Sequence, residues 1–306
     1  MIDFFKAKIL NTKIIEENLI GNGLLHYKAK YDSEKNKKLE YPKIIEEDGL
    51  KLVITEHFGY LSGSLHKFNN LHFHQGDQNY NDFKYSDLKY LIPYIEESLT
   101  IGDINKLIQL EVGFNIQTNY DPKKFIINNV YLLDFQEPTK ITYHKNGGIT
   151  KEFSKTDLIL KIYDKGKQYK LTENILRIEI RITKSRFLKS MNLYSLKDIT
   201  NKDKLYYLFK KLLEEFEPLI ILDTDWKDKV SIEDKQALNE FLDPKYWANL
   251  KYQRSYKVRK NRKDKFYAIL EKYNLEKQKI SLMHEMGEKF VKFINEQKQP
   301  HYEFPK

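Results

Sequence analysis

Three stretches of the chain alternate apolar and polar residues strictly enough to be strands. In "KLIQLEVGFNIQT" (106–118), Ile108, Leu110, Val112, Phe114 and Ile116 fall on one side, and Gln109, Glu111, Gly113, Asn115 and Gln117 on the other. In "LILKIYDKGKQY" (158–169), Leu158, Leu160 and Ile162 oppose Ile159, Lys161, Tyr163 and Lys165. In "NILRIEIRITK" (174–184), Leu176, Ile178, Ile180 and Ile182 oppose Arg177, Glu179 and Arg181. Side chains along a strand alternate with period two, so each stretch presents an aliphatic face to a core and a polar face away from it. The last two stretches are close in sequence, which predicts an antiparallel pair with a continuous polar face. A sheet with one aliphatic face needs helices to cover it.

The rest of the chain supplies them. "DLKYLIPYIEESL" reads as a helix capped by Ser86 or Asp87, with Pro93 in its first turns or at a kink. "DPKKFIINNVYLLDF" reads as a helix with Asp121 as N-cap and Pro122 at the first helical position. Residues 50–68 read as a strand, a glycine bend and a second short strand carrying His66. "NNLHFHQGDQNYNDF" (69–83) is rich in Asn, Gly and Asp and reads as loop. The first 48 residues read as short apolar pieces and a charged loop or hairpin tip. After about residue 186 the spacing turns helical. The expected fold class is α+β: an antiparallel β-sheet with helices on one face, followed by a mainly helical C-terminal part. The expected division is a sheet-containing catalytic domain over 1–190 and a helical, basic region over 191–306.

Charge decides which partners suit such a chain. Over 306 residues the formal net charge is +9, which favours polyanions, nucleic acid above all. From Lys245 to Lys265 nine lysines and arginines meet one acid, Asp264, with Tyr246, Trp247, Tyr252 and Tyr256 interleaved. Cations neutralise phosphates and aromatics stack on exposed bases, so this segment is the candidate nucleic-acid contact. Its candidates are Arg254, Lys257, Arg259, Lys260, Arg262 and Lys263; Trp247 reads as core. The chain has no cysteine, which excludes disulfides and thiolate metal sites. No apolar run approaches the roughly 18 residues of a membrane span. "MIDFFKAKILNTKIIEEN" shows no secretory h-region, so the cytosol is the expected compartment and no membrane partner is expected.

The polar face holds groups that do chemistry. Two carboxylates on neighbouring strands, Glu111 and Glu179, can hold Mg²⁺ or Mn²⁺, hard cations that take oxygen ligands. A metal polarises a phosphoryl oxygen, and a tyrosine such as Tyr163 can be the nucleophile. Lys161 and Lys165 would hold the phosphate or stabilise the phenolate. A solvated sheet face with paired Lys and Glu satisfies the same spacing. His72 and His74, in "LHFHQGD", would point the same way about 7 Å apart if extended and could hold a divalent metal; His66 competes with them.

Over roughly residues 50–260 these features resemble the replication initiators of bacteriophages and rolling-circle plasmids. "GSLHKF" followed by "GDQNYNDF" is similar to the opening of the phage type, and "LIQLEVGFNI" looks like its acid-bearing strand. A "YDK" strand followed by an "R-I-E" strand is similar to the Rep_trans plasmid group, and "FLDPKYW" before a basic tail to the phage members. The HxH has the form of the histidine motif of HUH nicking enzymes. The chain departs from the family where many relatives carry a second acid and this one has Asn115. No second catalytic tyrosine is identifiable among its 22. The resemblance implies a site-specific nicking endonuclease. Tyr163 would attack one phosphodiester of single- or double-stranded origin DNA, forming a 5′-phosphotyrosyl bond and freeing a 3′-OH that primes rolling-circle synthesis. It implies Glu111 and Glu179 as metal ligands with a histidine from His66, His72 or His74. Lys165 and Arg177 would sit on the scissile phosphate, and Lys67 and Arg181 would join the DNA contacts. A host helicase or polymerase would be a further partner. The competing expectations are a non-catalytic DNA- or RNA-binding protein on the same scaffold, and an unrelated basic α+β protein.

Overall fold

The computed structural model describes residues 1–21, 31–32, 37–38, 41–74, 76–253 and 256–295. Its centre is one nine-stranded sheet. In chain order the strands are β1 (Ile2–Ile9), β2 (Lys43–Glu47), β3 (Leu50–Ile54), β4 (Gly59–Ser64), β5 (Asn105–Gln117), β6 (Lys140–Tyr143), β7 (Ile149–Ser154), β8 (Leu158–Asp164) and β9 (Ile175–Ile182). They lie side by side as β2-β3-β4-β1-β5-β9-β8-β7-β6, and every neighbouring pair is antiparallel. The fold class is α+β, with a helical C-terminal region, as the alternation implies.

The aliphatic set of the central strands is the floor of the main core. Leu110, Val112, Ile116, Leu160, Ile162, Leu176, Ile178, Ile180 and Ile182 are all buried. Helices Lys202–Phe216 and Lys277–Asn295 pack over them: Phe114 meets Phe209 edge-on, and Phe209 stacks on Phe290 at 4.3 Å between ring centres. A second apolar cluster, built on Phe135, Trp226, Phe241, Trp247 and Phe266, joins the segments around residues 132–135 and 220–275. Trp247 is core, its indole N–H donating to the Phe241 carbonyl at 2.7 Å. No helix among the described residues is long and apolar enough to cross a membrane.

Two stretches differ from the sequence reading. Residues Leu65–His74 form a helix, not a strand followed by a loop. Leu65 and Phe68 supply a buried helical stripe, and Asn70, inside the helix, donates to the Gln78 carbonyl at 2.7 Å and to Asn81 Oδ1 at 2.9 Å instead of breaking it. The N-terminal residues also form a full strand, β1, which sits between β4 and β5 at the middle of the sheet. Phe5, Ala7 and Ile9 alternate with Lys6 and Lys8, a pattern the sequence reading passed over, and the register shift between Ile2 and Phe5 takes Asp3 out of that period.

Candidate active site

The register of the central strands assembles the polar face. Lys161 lies opposite Glu179, Tyr163 opposite Arg177, and Arg181 opposite Glu111. Gly113 lies opposite Glu179. A Cβ on Gly113 would collide with the Glu179 Cβ and the Ile178 carbonyl oxygen, so only glycine lets β5 and β9 pair at this point. The β1 strand adds Asp3 from the other side of β5. Ser64 and Asn79 hold that carboxylate, the amide of Asn79 reaching its two oxygens at 3.1 and 2.9 Å. The helical turn Lys165–Gln168 begins where β8 ends and is capped by the Asp164 side chain.

These groups form one hydrogen-bonded network. Lys161 Nζ donates to Glu111 Oε1 and Glu179 Oε1, at 3.2 Å each. Arg177 donates from Nε to Glu179 Oε2 at 2.7 Å and from Nη1 to Asn115 Oδ1 at 3.0 Å. Its Nη2 is 3.2 Å from Asp3 Oδ2, in ion-pair range but not aligned for a hydrogen bond. Arg181 donates to Glu111. The Tyr163 hydroxyl donates to Glu179 Oε2 at 3.4 Å. Lys165 Nζ lies 5.6 Å from the centre of the Tyr163 ring and 5.1 Å from that of Tyr169. Above the network is an open pocket of about 380 Å³, lined among others by Asp3, Lys67, Glu111, Lys161, Tyr163, Lys165, Glu179 and Arg181.

Burial and neighbouring charges push the groups apart in acidity. Burial alone would raise Asp3, but Arg177, Lys165 and the Ser64 hydrogen bond hold it at about 2. Burial likewise opposes ionisation of Glu179, yet Arg177 and Lys161 keep it below the usual carboxylate range. Glu111 is raised, first by burial and then by Glu179. Tyr163 is raised well above an ordinary phenol, chiefly by burial and by Glu179. Burial and then Arg177 bring Lys165 down to about 8.

Asp3, Glu111 and Glu179 each offer a carboxylate oxygen within 4.8 Å of the others. Three hard oxygen donors suit Mg²⁺ or Mn²⁺ and suit no soft metal. The cation already among them is the Lys161 ammonium, equidistant from Glu111 and Glu179.

The other expected residues are dispersed. His66 is on the helix and buried. It stacks on Phe83 at 5.1 Å, its Nε2 has no hydrogen-bond partner among the described residues, and it lies outside the carboxylate cluster. Burial pulls it down to about 3, so it is neutral. His72 and His74 cannot form the extended pair, because residues two apart on a helix point to opposite sides. His72 is engaged elsewhere, with Nδ1 2.7 Å from Asp48 and Nε2 2.8 Å from the Tyr94 hydroxyl. His74 is exposed at the helix end. Arg177 is 3% exposed and spent on Glu179, Asn115 and Asp3, so it orders carboxylates instead of facing outward. Lys67 lines the pocket, paired to Asp77 at 2.8 Å. On the helix Tyr256–Tyr273, Lys257, Lys260 and Arg262 are exposed, Arg259 is half-buried, and Lys263 pairs with Asp134 at 2.7 Å. Arg254 lies outside the described residues.

Sequence reasoning missed Asp3 and Asn79. An acid inside the otherwise apolar "IDFF" was the available signal for Asp3. Asn79 had none, since it sits in an Asn-rich stretch that reads as loop.

No protein-family model matches the chain, and no curated protein matches it. Among solved structures it is similar to one described as a rolling circle replication initiator protein from Geobacillus stearothermophilus. The TM-score is 0.35 and the identity 12%, over 60% of this chain and 74% of that one. At that distance the likeness carries no argument about this chain's chemistry.

Proposed function

We propose that the protein is a replication initiator that nicks origin DNA through a covalent tyrosine intermediate. The observation that carries this is the Tyr163 hydroxyl on the rim of a buried three-carboxylate cluster, inside an open pocket lined with lysine and arginine. Tyr163 Oη attacks the phosphorus, the bond to the 3′ oxygen breaks, and a 5′-phosphotyrosine and a free 3′-OH result. The phenol is too weak an acid to ionise unaided, so its proton goes to Glu179 Oε2, its hydrogen-bond partner. Lys165, at about 8, is protonated enough near neutral pH to return a proton to the departing 3′ oxygen. A divalent ion held by Asp3, Glu111 and Glu179 would polarise the phosphoryl oxygen. Arg181 and Lys67, on the pocket wall, meet the flanking phosphates. Residues 1–190 then carry the chemistry, and 191–306 contribute grip on the DNA. The reaction calls for the cytoplasm of a bacterial host.

The test is incubation with a supercoiled plasmid bearing the cognate origin and Mn²⁺. The expected result is nicking by the parent protein, loss of at least about 10³-fold in Tyr163→Phe with DNA binding retained, and a nucleotide adduct on Tyr163 by mass spectrometry. Binding without nicking in either protein would leave a non-catalytic DNA-binding protein; an adduct on another tyrosine would move the site.

A further inference from the structure

We infer that a second groove, apart from the tyrosine pocket, binds single-stranded DNA beside the nick. This rests on the nicking reading for its biological setting but not for its physical basis. The groove, about 820 Å³, lies between the turn at residues 134–139 and the helix Tyr256–Tyr273. On that helix Tyr256, Arg259, Lys260, Lys263 and Tyr267 recur at helical spacing and share one face. Tyr256 is 74% exposed.

The wall is fixed and the cations on it are not all spent. Asp134 and Phe135 both take left-handed backbone conformations, which cost energy in residues other than glycine. Burial of Phe135 against Trp247, 4.1 Å between ring centres, and the Lys263–Asp134 pair hold the turn in that shape. Lys263 is therefore a strut. Arg259 is different: its Nε is buried without a hydrogen-bond partner among the described residues, and the side chain lines the groove. A buried guanidinium nitrogen with no acceptor is costly unless a ligand supplies one. A phosphate oxygen is the acceptor that suits it.

One strand suits the groove and a duplex does not. The cations line a concavity with an exposed tyrosine at its mouth, where a single strand lays its phosphates on the cations and stacks a base on the ring. A duplex would meet only the rim. The two sites also connect. Strand β6 runs from the groove, which includes Thr139, to the tyrosine pocket, which includes His144. Five residues of strand span about 17 Å, which a few extended nucleotides cover. Lys140 lies opposite Glu152, and Glu152 opposite Lys161, so a cation on the catalytic face marks the route between them.

The probe is a fluorescein-labelled oligothymidylate, compared by anisotropy with a hairpin duplex of equal length, on the full chain carrying Tyr163→Phe so that nothing turns over. The expected result is a rise of about 10- to 100-fold in Kd for the single strand in Arg259→Ala/Lys260→Ala and about 5-fold or more in Tyr256→Ala. The duplex should change less than about 3-fold, and Lys210→Ala, on another helix, should change neither. Unchanged single-strand affinity in the groove variants overturns the inference, and so does an equal loss for strand and duplex. Should those variants misfold, ultraviolet crosslinking of an iododeoxyuridine oligonucleotide to the Tyr163→Phe chain decides. Adducts within 134–139 or 256–267 support the groove, and adducts confined elsewhere overturn it. Parent protein that nicks while groove variants bind normally sinks this inference alone. Groove binding by a parent that never nicks sinks only the proposed reaction.

Discussion

The two places where cations gather on this molecule are built in opposite ways. On the sheet, Lys161 and Arg177 are buried and committed to carboxylates fixed by strand register. On the helix Tyr256–Tyr273, Lys257, Lys260 and Arg262 stand in solvent, and Arg259 keeps a donor without a partner among the described residues. The first arrangement sets the positions and acidities of the groups that face the pocket. The second leaves positive charge exposed and unpaired with the carboxylates of the sheet. Net charge alone does not separate them.

Substitutions sharpen the contrast. The largest effect expected is Glu179→Gln, which strips a buried counter-charge from Lys161 and Arg177 and should cost about 3–5 kcal/mol by urea unfolding. A loss under 1 kcal/mol would break the picture of an interlocked site. Gly113→Ala comes next, at about 3 kcal/mol, because the added methyl meets the backbone of β9. Its crystal structure should show β5 and β9 spread apart at Glu179.

The pH dependence follows from His66. Its pKa is about 3 in the fold against about 6.5 unfolded. Its contribution is therefore intact above pH 6.5 and is lost as pH falls toward 3, because the unfolded chain takes up the proton first. Stability should fall by about 1 kcal/mol per pH unit between pH 6 and 4. His66→Gln should flatten that slope, and an unchanged slope would mean the imidazole is not buried neutral. The smallest effect belongs to the exposed helix. Arg262→Ala should leave stability within about 0.5 kcal/mol while lowering the salt slope of DNA binding by about 1. If it destabilises the fold as Glu179→Gln does, the two regions are not different in kind.

Much of the sheet was legible because period-two alternation is a local property. The β5, β8 and β9 patterns by themselves place Glu111, Tyr163 and Glu179 on one face. Whether those faces are solvated or sealed is not local. Arg177 reads as an outward cation, yet Asp3 and Asn115 close on it from β1 and β5, with Asn79 holding Asp3 from a loop. Asp3 lay hidden because the irregular register of β1 breaks the alternation. The histidines misled because HxH has a geometric meaning only in an extended chain, and Leu65 and Phe68 draw that segment into a helix.

The Lys161 ammonium between Glu111 and Glu179 has a consequence for how the site would be loaded. The chain folds with an ammonium already between two of the carboxylates, so a divalent ion held there would have to displace it and would not fill a hole. Such an exchange would free an ammonium two residues from Tyr163 on the same face of β8. Metal and lysine would then be successive tenants of one position, with the outgoing tenant left beside the Tyr163 hydroxyl.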